Sequence, residues 1–157
     1  MIEQDEATAV RKSITVDAPQ ARAFEVFTAE FDRWWPRSHH IGESDMAEAV
    51  MECTPGGRWY ERDAAGNECE WGRVAAYEPP DRIVLVWQLD SEFRYDPDLV
   101  THVEVRFVAE GPDRTRVDLE HRDLDRYGDD LEKMRTTFDS PGGWNGLIEM
   151  YAAAVIG

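Results

Sequence analysis

Six tryptophans, Trp34, Trp35, Trp59, Trp71, Trp87 and Trp144, stand out in a chain of 157 residues. An indole offers a large apolar face and a single N–H donor, the combination that commonly lines a small-molecule site. Plain core packing accounts for the same residues equally well. Two titratable side chains could add acid–base chemistry. His121 continues an apolar stripe on a strand and could act as a base or orient a ligand. Glu61 shares a face with Trp59, and a carboxyl inside an apolar enclosure has a raised pKa suited to a general acid. A bulge in that strand would turn Arg58, Tyr60 and Arg62 inward instead and leave Glu61 in water. His39 and His40 lie beside Glu43 and Asp45, a set of metal-ligand types. Adjacent residues point apart on a strand and no third ligand is fixed by spacing, so a solvated loop is the expectation and no metal is assigned. Cys53 and Cys69 lack CxxC spacing and read as small buried hydrophobes.

Several function classes are excluded early. The chain carries 17 Lys+Arg against 33 Asp+Glu, a formal charge of −16. Nucleic-acid affinity rests on cations that displace counterions, so no nucleic-acid partner is expected. Anionic membranes are disfavoured for the same reason, and no window nears the ~20 apolar residues of a membrane span. The acidic start, Met1-Ile2-Glu3-Gln4-Asp5-Glu6, is unlike a secretory signal, so the expected compartment is cytoplasmic with reduced thiols. GxGxxG, P-loop, GxSxG and HExxH signatures are absent, and no cofactor is expected. Hydrophobic residues at 42% and aromatics at 11% suit a folded domain with one core.

The elements that must position these side chains follow from periodicity. Residues 13–16 read as a first strand. Asp17 and Pro19 then read as a helix start, with Asp17 as cap. Ala23, Phe24, Val26 and Phe27 form that helix's apolar side, and Phe31, Trp34 and Trp35 continue at helical spacing to Pro36. Six β-rich runs follow, at 48–53, 58–62, 68–77, 82–89, 101–108 and 115–122, with turn residues between them. Val103, Val105 and Phe107 alternate with polar residues, and so do Val117, Leu119 and His121. That pattern means an antiparallel sheet with one buried face. The acidic stretch 128–132 reads as a helix cap for Leu131, Met134 and Phe138. Finally Trp144, Leu147, Ile148, Tyr151, Ala152 and Val155 make a long amphipathic stripe, the one element able to cover the sheet.

Val16-Asp17-Ala18-Pro19 with Phe24 and Phe27-Thr28 resembles the opening of the SRPBCC (START-like) superfamily. So do Gly56-Gly57-Arg58, Gly72-Arg73-Val74 and Pro79-Pro80-Asp81-Arg82-Ile83-Val84 with Trp87, and the ending Gly143-Trp144 with Leu147. Together, over about 13–155, they are similar to the branch related to the activator of the heat-shock protein 90 ATPase. The resemblance implies an α+β helix-grip fold. In it a seven-stranded curved antiparallel sheet wraps a long C-terminal helix, with two short helices after the first strand. It places a single domain at 13–157 after a flexible segment at 1–12. It implies a cavity between sheet and helix, gated by loops at 39–45 and 90–98. The expected lining is the six tryptophans with Phe107, Leu119, His121, Ile148 and Tyr151. Relatives bind lipids, hormones or polyketides, and some catalyse cyclisation or hydrolysis. The expected function is binding of a small hydrophobic or amphipathic molecule. The alternatives are an enzyme with an acid–base residue in the cavity, and a co-chaperone-like interaction protein or homodimer.

Overall fold

The structure, a computed structural model, describes residues 8–156. Strand β1 (Val10–Val16) begins three residues before the predicted start and alternates outward Arg11, Ser13 and Thr15 with buried Val10 and Val16. The part of the 1–12 segment at 10–12 is therefore paired strand, while 1–7 lie outside the described residues. Arg11 and Lys12 masked the strand in the sequence. Arg11 points outward and meets Glu120 at 2.8 Å, while Lys12, on the opposite face, is half-buried and meets Asp139.

Helix α1 (Gln20–Phe27) has Pro19 at its N-cap position and no side-chain cap. The expected Asp17 cap is not made, because the chain is still extended there; the Pro19 carbonyl takes the Ala23 N–H at 2.9 Å. A short α2 (Phe31–Trp34) follows as a separate turn. Strands β2 (Met46–Met51), β3 (Arg58–Asp63), β4 (Glu68–Glu78), β5 (Arg82–Trp87), β6 (Thr101–Gly111) and β7 (Arg114–Arg122) form an antiparallel meander. β1 closes on β7, giving the order β1-β7-β6-β5-β4-β3-β2. A 3-10 segment (Leu124–Asp130), broken at Gly128, leads into α3 (Leu131–Asp139). Asp130 stands at the N-cap of α3 without a side-chain cap bond, and Glu132 lies in its first turn, so the acidic stretch meets the positive end of the helix dipole. Helix α4 (Trp144–Ile156) buries Trp144, Leu147, Ile148, Tyr151 and Val155, the predicted stripe. The seven-stranded sheet gripping a C-terminal helix is the expected helix-grip architecture.

The outward sheet face is a mesh of ion pairs, with Glu104 held between Arg82, Arg106 and Arg122 at 2.6–2.7 Å. The inward face is aromatic. Tyr151 donates to the Ala23 carbonyl at 2.7 Å and sits 5.3 Å from Phe27 and 5.6 Å from Trp34, ring centre to ring centre. Phe27 in turn meets Phe107 at 5.9 Å. The register between β3 and β4 slips at Trp59/Tyr60, where Trp59 faces Gly72. That approach requires glycine: a Cβ on Gly72 would lie 1.7 Å from the Val86 carbonyl oxygen.

Candidate functional site

The slip leaves Trp71 without a Cα partner on β3, and Trp59 and Trp71 both face inward, 5.5 Å apart in a T-shaped contact. Glu61 goes with them, and the solvated reading of Glu61 is corrected. It is 3% exposed and accepts three N–H groups: Trp71 Nε1 at 2.9 Å, Ile41 N at 2.6 Å and Gly42 N at 3.0 Å. A carboxylate met by three donors balances its own desolvation. Its role here is to clamp the 39–45 loop onto the sheet. Gly42 makes the clamp possible, since a Cβ there would press on Glu61 Oε2 and Cys69 Sγ, each at 3.2 Å. Tyr60 points the other way and is buried beneath the Arg58 guanidinium, 4.0 Å from its ring centre.

His121 is fully buried and belongs to a closed relay. Trp144 Nε1 donates to His121 Nδ1 at 3.1 Å, so the ring proton sits on Nε2 and goes to Thr101 Oγ1 at 2.9 Å. Thr101 passes its own proton to the Trp87 carbonyl at 3.0 Å. Burial, with a smaller push from His102, holds the His121 pKa down to about 3, so the ring is neutral. Every polar atom of this chain is spent inside the core.

The open space lies elsewhere on the inward side, at the N-terminal end of α4. A cavity of about 290 Å³ opens between the sheet, the 39–45 loop and the α3–α4 turn. Trp35, Trp71, Trp87 and Trp144 wall it, with Phe138 between them. These are four of the eleven predicted lining residues. Trp34, Trp59, Phe107, Leu119, His121, Ile148 and Tyr151 line no part of it. The space between sheet and helix lies at the helix's N-terminal end, and edge-to-face rings occupy the volume under its middle. Both predicted gating loops reach the cavity rim, the first through His39, His40 and Ile41, the second through Phe93. Phe93 holds φ at 59°, a left-handed conformation unusual for a bulky residue. Sequence reasoning missed the contribution of Thr137, Phe138, Gly142 and Gly143. The adjacent glycines Gly142 and Gly143 were the available signal for a wall without side chains.

Indole donors are otherwise well served. Trp34 reaches the Val26 carbonyl, Trp35 the His39 carbonyl and Trp59 the Val86 carbonyl, at 3.0, 3.0 and 2.9 Å. Of the six indole donors, the Trp87 N–H is the one buried with no hydrogen bond among the described residues. His39 is engaged on both ring nitrogens, by Ser38 Oγ at 3.2 Å and the Gly142 carbonyl at 2.7 Å. His40 uses only one, with Nδ1 2.9 Å from the Gly42 carbonyl. Among the described residues no group of three His, Cys, Asp or Glu could hold a metal ion. Burial, reinforced by the charge of Glu61, raises the Cys69 thiol, and burial raises Cys53; neither is an activated nucleophile. No helix of the described residues is long and apolar enough to cross a membrane.

Residues 17–152 match the family described as Activator of Hsp90 ATPase homolog 1-like protein. The chain belongs to this family. Among solved structures, the family member resembles "An anthrahydroquino-Gama-pyrone synthase Txn09 complexed with SUM". The two share 37% identity over 93% of this chain and 96% of that one, with a TM-score of 0.64. It also resembles the self-sacrificing resistance protein CalC from Micromonospora echinospora, at 34% identity over 95% of this chain and 94% of that one, TM-score 0.71. An HSP90 activator from Plasmodium falciparum, PFC0360w, shares the fold at 18% identity, covering 73% of this chain and 72% of that one, TM-score 0.52. No curated protein matches the sequence. The predicted SRPBCC placement and its Hsp90-activator-related branch therefore stand.

Proposed function

We propose that this Hsp90-activator-like family member binds a small, flat, largely apolar molecule in the cavity at the N-terminal end of α4. The observation that carries the reading is the convergence of Trp35, Trp71, Trp87, Trp144 and Phe138 on one opening of about 290 Å³. That volume is at the lower end of the roughly 300–1,000 Å³ typical of ligand pockets, and suits two or three fused rings. Rings stack on indole faces at about 0.5–1.5 kcal/mol per contact beyond area burial. Burying about 200 Å² of apolar ligand surface adds roughly 5 kcal/mol before the costs of association. The expected Kd is then between about 1 μM and 1 mM. The relative at 37% identity, whose name is that of a synthase of a fused-ring pyrone, supports an aromatic ligand class. It also keeps an enzymatic reading in play, one that needs a proton-transfer group at the cavity rather than His121 or Glu61.

The test is titration with anthraquinone, read by quenching of intrinsic fluorescence and by calorimetry. A Thr137→Phe variant fills the opening from the surface of α3 and leaves the buried core untouched. Saturable binding by the wild type, weakened at least tenfold in a variant of unchanged Tm, is the expected result. Absence of saturable binding, or equal affinity in the variant, overturns the assignment.

A further inference from the structure

His39 and His40 are neighbours in sequence with opposite chemical states. His39 is tied at both nitrogens, to Ser38 and to the Gly142 carbonyl. His40 lines the same cavity but is tied at one. Its Nδ1 lies 2.9 Å from the Gly42 carbonyl oxygen, an acceptor with no proton to give. Nδ1 must therefore carry the hydrogen, and in the neutral ring Nε2 is left with a lone pair. Nε2 has no hydrogen-bond partner among the described residues. The loop that presents His40 is fixed directly after it, where the Ile41 and Gly42 amides donate to buried Glu61. Tautomer and placement are set by the protein before any ligand arrives, as an acid–base group requires.

We infer that His40 is the proton acceptor of the cavity and that the molecule bound there presents an acidic hydroxyl, phenolic or enolic, to Nε2. The inference rests on the ligand-binding reading of this cavity. In the step, the ligand O–H bond breaks and its proton forms the Nε2–H bond. The electron pair stays on oxygen as aryloxide or enolate. The imidazolium keeps its Nδ1–H on the Gly42 carbonyl and pairs with the new anion. Total charge is unchanged, and no further reactant is consumed. Glu61 acts as a positioning residue for the loop, and Glu43 is its charged neighbour in sequence.

Two probes separate this inference from the reading beneath it: anthraquinone, which has no hydroxyl, and 2-hydroxyanthraquinone, whose anion absorbs at longer wavelength than its neutral form. His40→Asn keeps a side-chain N–H for the Gly42 carbonyl and removes the Nε2 lone pair. With wild-type protein the hydroxy compound is expected to bind with a red-shifted spectrum at a pH where the free compound is still neutral. His40→Asn trims one contact of the rim and is expected to weaken anthraquinone binding by about twofold at most. It should bind the hydroxy compound about tenfold more weakly, the scale of one charge-assisted hydrogen bond, with the red shift gone. If both proteins bind both probes alike, or both give the red shift, the role of His40 is overturned and the cavity reading survives. If neither probe binds the wild type, the cavity reading falls and takes the role of His40 with it.

Discussion

Replacing His121 by Asn changes how stability depends on pH. The folded protein holds His121 at a pKa of about 3, through burial first and His102 second. In the unfolded chain the same ring titrates at its ordinary value near 6.5. Below that value the unfolded state takes up a proton that the folded state refuses, so stability falls as pH falls. This contribution is complete above about pH 7 and stops growing near the folded pKa. Integrated from pH 7 to pH 5, one such site costs about 2 kcal/mol, approaching a slope of about 1.4 kcal/mol per pH unit. The figure is set by the unfolded value and is the same for any folded pKa well under 5. In His121→Asn the side-chain oxygen can accept the Trp144 N–H in place of Nδ1, and nothing at the position titrates. Lost ring packing against Phe138, whose centre is 4.4 Å from the imidazole, lowers the variant's stability at pH 7 by about 2 kcal/mol. Its decline toward pH 5 should nonetheless be shallower by about the same amount. Glu104, Glu30 and Glu68, whose arginine partners hold them low, are common to both proteins and cancel in the comparison. Urea unfolding at pH 7, 6 and 5 gives both curves, and parallel curves would refute a neutral buried imidazole.

Glu61→Ala removes the acceptor of three N–H groups. The two loop amides can turn to water and the Trp71 indole cannot, so the expected loss is about 2–3 kcal/mol. Hydrogen exchange at Ile41 and Gly42 should accelerate, and unchanged exchange would contradict the clamp. Gly72→Ala places a Cβ 1.7 Å from the Val86 oxygen, at the point where β4 pairs with β5. It should cost more than about 4 kcal/mol, and circular dichroism showing a wild-type Tm would count against the register. Phe93→Gly relieves about 1 kcal/mol of left-handed backbone strain and gives back a similar amount through unfolded-state entropy. Its Tm should be unchanged while anthraquinone affinity falls, whereas a large drop in Tm would assign Phe93 to the core.

The sheet was legible because its inward residues alternate: Val103, Val105 and Phe107 are all buried, as are Val117 and Leu119. The final helix was legible for the same reason at a different period. What periodicity could not supply was the face of Trp59, Trp71 and Glu61. The register slip at Trp59/Tyr60 decides it, and a slip is a property of paired strands rather than of one. Less of the cavity wall was legible. Trp35, Trp71, Trp87 and Trp144 were recognised as lining. Phe107, Ile148 and Tyr151 carry the same inward signal yet fill the core, since a stripe identifies a buried face without saying whether space remains above it. His121 shows the limit most clearly. A histidine on an inward stripe looks like a base until Trp144 and Thr101, distant in sequence, are found on its two nitrogens.

The cavity lies where it does because side chains run out there. Under the middle of α4, Phe27, Trp34 and Tyr151 close the volume with contacts of 5.1–5.6 Å. At the N-terminal end the chain turns through Gly142 and Gly143, which bring backbone and no side chain to the wall. Gly143 is held tight, since a Cβ there would lie 2.4 Å from the Thr137 carbonyl oxygen. The 39–45 loop spans the gap with unequal anchors. One part is fixed by two amide hydrogen bonds to a buried carboxylate, and the other by His39, whose ring meets the exposed Gly142 carbonyl at 2.7 Å and whose own carbonyl accepts the Trp35 indole N–H at 3.0 Å. An exposed neutral hydrogen bond is worth about 1 kcal/mol, while bonds to a charged acceptor are worth about 1.5–3 kcal/mol each. Swinging the His39 ring off the Gly142 carbonyl is therefore the lower-energy motion, with the His39 backbone still held by the Trp35 indole. Ile41 and Gly42 do not share that freedom, because both amides are held by the buried Glu61.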